Sequence, residues 1–273
     1  MYGYGNSMFL ATHGILARTA SGGGVDPDAQ VFITAAGITN PTQQAAINQL
    51  VVDLKGYGVW TKMKAVYPMV GGSSSTMKYN LKNPLDTDAA FRLVFNGGWT
   101  FSQTGALPNG TNGYADTKLT PSTTLSLNST HVSLYSRTNT NTGVDMGLQR
   151  GTTYILNVAR NSNQAYTSLN SQSIELYSNT DGRGFYLGNR QAINDSDAWK
   201  NGTKQVNSTN TTNASEFAIT PIFIGAFNQL GSASGYSNKE LAFSSIGDGL
   251  TDTEAANFYT AVQTFQTTLG RQV

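Results

Sequence analysis

Apolar residues along this chain change their period twice, and the changes divide it. Between residues 25 and 58 they recur at helical spacing, ending on Ile47, Leu50, Val51 and Leu54, which share one face before Gly56. Each half has its own start signal. Asp26 stands as N-cap before Pro27, with a stop at Gly37; Asn40 stands before Pro41, with Gln43 in the capping-box position. The pattern predicts a small helical hairpin. Over residues 59–250 short apolar or alternating runs are separated by Gly, Asn and Ser turns. They predict strands at Val59-Trp60, Ala65–Tyr67, Lys78–Leu81, Phe91–Phe95, Tyr114–Leu119, His131–Ser136, Tyr154–Val158 and Ser173–Tyr177. Further strands are predicted at Gly184–Gly188, Asp197–Lys200, Lys204–Asn207, Ile222–Gly225 and Glu240–Ile246. The last of these alternates and reads as half-buried, stopping at Gly247-Asp248-Gly249. Many short strands with frequent turns indicate a sandwich or barrel. Residues 251–273 return to helical spacing. Thr251 caps with Glu254 in a capping box, and Ala255, Phe258, Val262, Phe265 and Leu269 form one stripe before Gly270. That stripe requires burial against either the hairpin or the sandwich.

Residues 1–24 carry Gly-Tyr alternation and a Ser21-Gly22-Gly23-Gly24 hinge. They read as an attachment arm on a flexible linker, or as a disordered terminus. The hairpin has two readings as well, an assembly collar or a cap on its own sandwich.

Composition narrows the classes. Charged residues make up 12% of the 273, about half of the roughly 25% usual in soluble domains, so Asn, Ser, Thr and Gln must supply the surface polarity. A net charge of +1, with Lys and Arg scattered, argues against nucleic acid as a partner. With no cysteine there is no disulfide, thiolate metal site or cysteine nucleophile. No apolar run approaches the ~18 residues of a membrane-spanning helix. The mildly apolar stretch from Met8 to Ala17 lacks a basic region before it, so no signal peptide is expected. The Asn-X-Ser/Thr triplets at Asn109, Asn128, Asn201, Asn207, Asn210 and Asn213 follow from composition and read as unmodified.

Two resemblances add to this. Strand, turn and Leu250-Thr251-Asp252-Thr253-Glu254-Ala255-Ala256-Asn257-Phe258-Tyr259, with the hairpin Lys200-Asn201-Gly202-Thr203-Lys204, resemble the closing segment of concanavalin A-like, laminin-G-type jelly-roll domains. The implied fold is mainly β, an antiparallel jelly-roll sandwich with an N-terminal helical hairpin and a C-terminal helix. From Val25 onward the chain is similar to virion proteins of tailed bacteriophages, of the crAss-like, Bacteroidetes-infecting type. The segments that carry this likeness are residues 25–30, 58–63, 109–117 and 269–271. It implies a head or tail fibre or decoration protein, a homo-oligomer such as a trimer, assembled in the host cytoplasm and released by lysis without a signal. Its partners would be other virion proteins, reached through the arm, and a host surface glycan.

Candidate chemistry is thin. Glucanases on this fold project acids from one strand face, and retaining chemistry needs two carboxyls about 5 Å apart. The chain offers Asp26/Asp28, Asp86/Asp88, Asp195/Asp197 and Asp252/Glu254, none with a third acid in the glucanase pattern, and two sequence-distant histidines, His13 and His131. No serine-nucleophile elbow, zinc-protease helix or phosphate loop is present. A non-enzymatic role is expected, with a carbohydrate-active hydrolase and a ligand-free particle component as alternatives. Asn194-Asp195-Ser196-Asp197 reads as an Asx-rich turn or as a calcium site through Asp195 and Asp197; no other cofactor is indicated. For sugar, Trp199, Asn201 and Tyr236 are the candidate contacts, with Trp199 expected to be exposed and Trp60 and Trp99 packed inside.

Overall fold

The computed structural model describes residues 24–273. The arm predicted over residues 1–24, with His13, lies outside the described residues apart from Gly24. Three layers are stacked: helices, an inner sheet and an outer sheet.

The helical layer joins elements from opposite ends of the described chain. Pro27–Ala35 and Pro41–Gly56 are capped by the Asp26 and Asn40 side chains, and Asp252–Thr268 opens with the predicted capping box between Thr251 and Glu254. Each cap answers an orphan amide of its first turn, so the helices begin where the sequence says. The C-terminal helix packs on the second helix and on the inner sheet at once. One core cluster holds Ile47, Leu50, Leu54, Phe258, Val262 and Phe265 together with Tyr135, Phe185, Trp199 and Phe243 of the sheet.

The inner sheet runs Thr203–Ser208, Asp195–Lys200, Gly184–Ala192, Thr130–Ser136, Leu241–Gly247, Gly105–Pro108 and Trp99–Ser102, with Met63–Tyr67 also paired to Leu241–Gly247. The outer sheet runs Glu175–Ser178, Gln164–Ser171, Thr153–Asn161, Met146–Arg150, Phe223–Ile224, Tyr114–Asp116 and Val94–Asn96. A short hairpin, Phe227–Gln229 and Ser232–Ser234, joins the outer sheet through a parallel pairing of Phe227–Gln229 with Met146–Arg150. The remaining pairings between named strands are antiparallel, and the fold is mainly β, a jelly-roll sandwich carrying helices. Between the sheets lies a second cluster that includes Val132, Leu134, Met146, Leu148, Ile155 and Leu169. No described helix is long and apolar enough to cross a membrane.

A covered inner sheet changes what its strands can be. Glu240–Ile246 reads from its alternation as half-buried, yet every residue of Leu241–Gly247 is buried, because helices cover the face that alternation assigns to solvent. Its polar residues are therefore paired internally. Ser244 Oγ donates to the Ser133 carbonyl at 2.9 Å, and Ser133 and Ser245 share a 2.7 Å bond.

His131 sits at the helix–sheet boundary, fully buried, its ring edge-on to Phe258. Nδ1 lies 2.6 Å from the Asp248 carbonyl, which only accepts, so Nδ1–H donates and Nε2 accepts from Ser245 Oγ at 3.1 Å. Burial is the largest cause that pulls its pKa from 6.5 down to about 4. The unfolded chain takes a proton near pH 6.5 that the folded chain refuses until near pH 4. Stability is therefore full above 6.5 and falls with pH across that window, by about 3 kcal/mol in all. Asp197, raised chiefly by burial, acts in the opposite sense, so the comparison needs a variant. Urea midpoints at pH 7 and pH 4.5 should separate widely in the native protein and converge in His131→Asn.

Candidate functional site

The predicted sugar contacts do not converge. Trp199 is only 6% exposed and packs into the core beneath the helices, with its Nε1 unpartnered, so the expectation of an exposed ring is overturned. The cause is again the helical layer, which covers that face of the strand. Asn201 does form a turn with Gly202, at φ 48° and 74°, the left-handed pair that a two-residue hairpin needs. Its side chain serves the fold, since Oδ1 accepts from the Phe185 amide at 2.8 Å. Tyr236 is half-buried beyond the Ser232–Ser234 strand of the other sheet, its hydroxyl donating to the Ala233 carbonyl.

Asp195 and Asp197 share a strand face, but Asp197 is buried and the Lys204 ammonium stands 2.8 Å from its carboxylate. A cation already holds the position calcium would need. Among the described residues, no three His, Cys, Asp or Glu side chains cluster as metal ligands. The other acidic pairs are engaged as well. Asp26 and Asp28 hold Lys55, Asp86 holds Lys78 and Arg92, Asp88 holds Arg92, and Asp252 shares Lys204. Glu254 serves the helix cap.

The face of the outer sheet turned away from the inner sheet offers a different arrangement. In Thr153–Asn161, Ile155 and Ala159 face the inter-sheet core, and Asn157 donates across it to the Val132 and Tyr186 carbonyls. Alternation therefore turns Tyr154, Leu156 and Val158 to the outer face, where Leu156 and Val158 are buried and Tyr154 is partly exposed. Tyr166 stands opposite Val158, and Leu176 opposite Tyr166. Phe227, brought in by the parallel strand, lies nearly parallel to the Tyr154 ring, with centroids 6.1 Å apart and planes at 22°.

Amides adjoin these rings. Gln229 Nε2 donates to Gln149 Oε1 at 3.2 Å, and Gln149 Nε2 reaches the Gly151 carbonyl at 2.8 Å. A depression of about 330 Å³ is lined by Gln149, Gly151, Gln229, Leu230 and Ser232. Leu230 stands at the hairpin tip, 68% exposed and at φ 51°, a left-handed conformation that costs a branched residue roughly 1 kcal/mol. A second depression of about 410 Å³ is lined entirely by hydroxyl and amide residues, 171–173 and 209–213. Glu216 lies between the two. Hydrogen bonds led by Thr153 hold its carboxyl below the usual range, and Thr152 and Asn213 also donate to it. A third depression of about 350 Å³ includes Lys78 and Arg92, whose charges Asp86 and Asp88 already meet.

Rings beside amides, with a single occupied carboxylate, can hold an uncharged polyhydroxylated ligand but lack the paired acids of glycoside cleavage. Sequence reading missed this face because three of its strands carry weak signals. Met146–Arg150 and Gln164–Ser171 are poor in β-branched residues, and Phe227–Gln229 is three residues long.

No family model and no curated protein matches the chain. Among solved structures it is similar to domain 4 of the extracellular arabinanase AbnA from Geobacillus stearothermophilus, solved with arabinotriose. That match has 13% identity and a TM-score of 0.52, over 72% of this chain and 98% of that one. It is also similar to a mutant Trypanosoma rangeli sialidase displaying trans-sialidase activity, at 10% identity and a TM-score of 0.50, covering 80% of this chain. The chain spans 39% of that sialidase. At such identities the likeness shows the fold alone, a jelly-roll β-sandwich.

Proposed function

We propose that this chain is a non-enzymatic structural protein of a tailed-phage particle, a fibre or decoration component whose sandwich adheres to host surface glycans through its outer sheet. The observation that carries the glycan half is the Tyr154–Phe227 ring pair beside the Gln149–Gln229 amides on a helix-free face. Such a surface pairs apolar sugar faces with rings and sugar hydroxyls with amides. It fits that a domain of the same fold is solved with arabinotriose. The virion half is supported by the sequence likeness from Val25 onward and by a surface whose polarity rests on amides and hydroxyls. In this reading the protein works as a homo-oligomer, docks onto other virion proteins through residues 1–24, and needs no metal.

A glycan array probed with the full-length protein tests adhesion. Retention without cleavage is the expected result; released product would put the hydrolase reading first, and no retention would leave a ligand-free particle component. Deleting residues 1–24 should leave a folded sandwich that fails to enter particles. Particles that retain the shortened protein would remove the arm from the docking role.

A further inference from the structure

We infer that the glycan site is a row crossing four strands, built to take the interior of a linear, uncharged glycan rather than a single terminal sugar. This inference rests on the reading of the outer sheet as the adhesive face. The strand register aligns Gln229 with Gln149, Gln149 with Tyr154, and Tyr154 with Ser171. Cross-strand partners point to the same face, so these four side chains form one line perpendicular to the strands, with Ser171 buried beneath its far end and its hydroxyl accepting from the Ser173 amide. Three strand spacings make that line about 14 Å long, the span of about three linked sugar rings.

The alignment at its far end depends on an irregularity. Between Ile155↔Leu169 and Tyr154↔Ser171 the ladder skips Asn170, which sits at φ 55°. This bulge shifts the alternation by one residue, so that Ser171 shares a face with Tyr154 while Leu169 stays in the core. The row therefore runs from the depression at Gln149 and Gln229, past the Tyr154 ring, to the depression at residues 171–173 and 209–213.

The lining amide at that far end is held from within the sandwich. Asn210, which lines the depression, donates to Glu175 Oε1 at 3.2 Å. Glu175 is 3% exposed, and its Oε2 has no hydrogen-bond partner. Glu175 pairs with Thr167 and, like Asn157 beyond it, faces the inter-sheet space, where its charge acts on Arg190; it anchors the Asn210 amide from the interior, and Asn210 is the side chain the depression meets. The depressions themselves are lined by uncharged residues, which fits a neutral chain better than a sialylated or uronic one.

The test is an array of linear neutral glycans (arabinans, xylans, glucans, galactans and mannans, each from one to six units) beside sialylated and uronic chains, probed with the full-length protein. Retention should rise at least about tenfold between one and three units and then level off. Asn210→Ala and Gln229→Ala, at opposite ends of the row, should each flatten that rise while sparing the single-unit signal, and Tyr154→Ala should lower retention at every length. Retention independent of length overturns the row and leaves glycan adhesion standing, as does retention confined to acidic chains. No retention of any glycan overturns the adhesive reading and the row with it.

Discussion

Replacing Arg271 with alanine should destabilise the fold by about 3–5 kcal/mol, a large share of the roughly 5–15 kcal/mol that holds a typical domain together. Arg271 is fully buried without a carboxylate partner. Its guanidinium donates at 2.7 Å to the Pro68 and Met69 carbonyls and to Gln266 Oε1, and at 2.8 Å to the Ala242 carbonyl. The arginine thus ties the end of the C-terminal helix to the turn after Met63–Tyr67 and to the strand Leu241–Gly247 of the inner sheet. Burial lowers its pKa to about 9, which leaves it charged at neutral pH. Truncation would strand four acceptors where water cannot replace the donor. Lysine should recover less than half of the loss, because one ammonium cannot reach acceptors arranged for a planar fork. Urea unfolding of the three proteins measures both numbers; a loss below about 1 kcal/mol for alanine would show that the acceptors find other partners.

Phe258→Asp should yield no folded protein, and Phe258→Ala should cost about 3–5 kcal/mol. Phe258 is completely buried where the layers meet, edge-on to Phe185 at 5.3 Å, to Phe243 at 6.0 Å and to His131 at 5.9 Å. Alanine leaves a cavity among aromatic rings that cannot collapse into it, whereas aspartate adds a charge with no cation placed to meet it. Circular dichroism and size-exclusion profiles distinguish these outcomes. A soluble aspartate variant with native signals would mean that the helix stripe is dispensable to the sandwich.

Much of this fold is legible in the chain because its signals are local. Asp26, Asn40 and Thr251 cap helices where their spacing to Pro27, Pro41 and Glu254 says they should, and Asn201-Gly202 turns the hairpin it marks. Burial on the second face of a strand is a different matter, because it depends on which helix lies above it. That is why Leu241–Gly247 reads as half-buried and Trp199 as exposed, when helices cover both. The candidate site was less legible for a related reason. Gln149, Tyr154, Ser171, Phe227 and Gln229 are brought together by strand register, a bulge at Asn170 and one parallel pairing, none of which leaves a periodic trace.

The helical layer also bears on how the protein reaches its native state. Residues 41–56 pack against residues 252–268, and Met63–Tyr67 pairs with Leu241–Gly247, so closing the core requires contacts separated by nearly two hundred residues. Such non-local topology places folding in the slow regime of roughly milliseconds to seconds or longer. Until the C-terminal helix docks, the inner sheet presents Phe185, Phe243 and Trp199 to water. Any state in which both sheets have formed and the helical layer has not would therefore expose an apolar face prone to association with copies of itself.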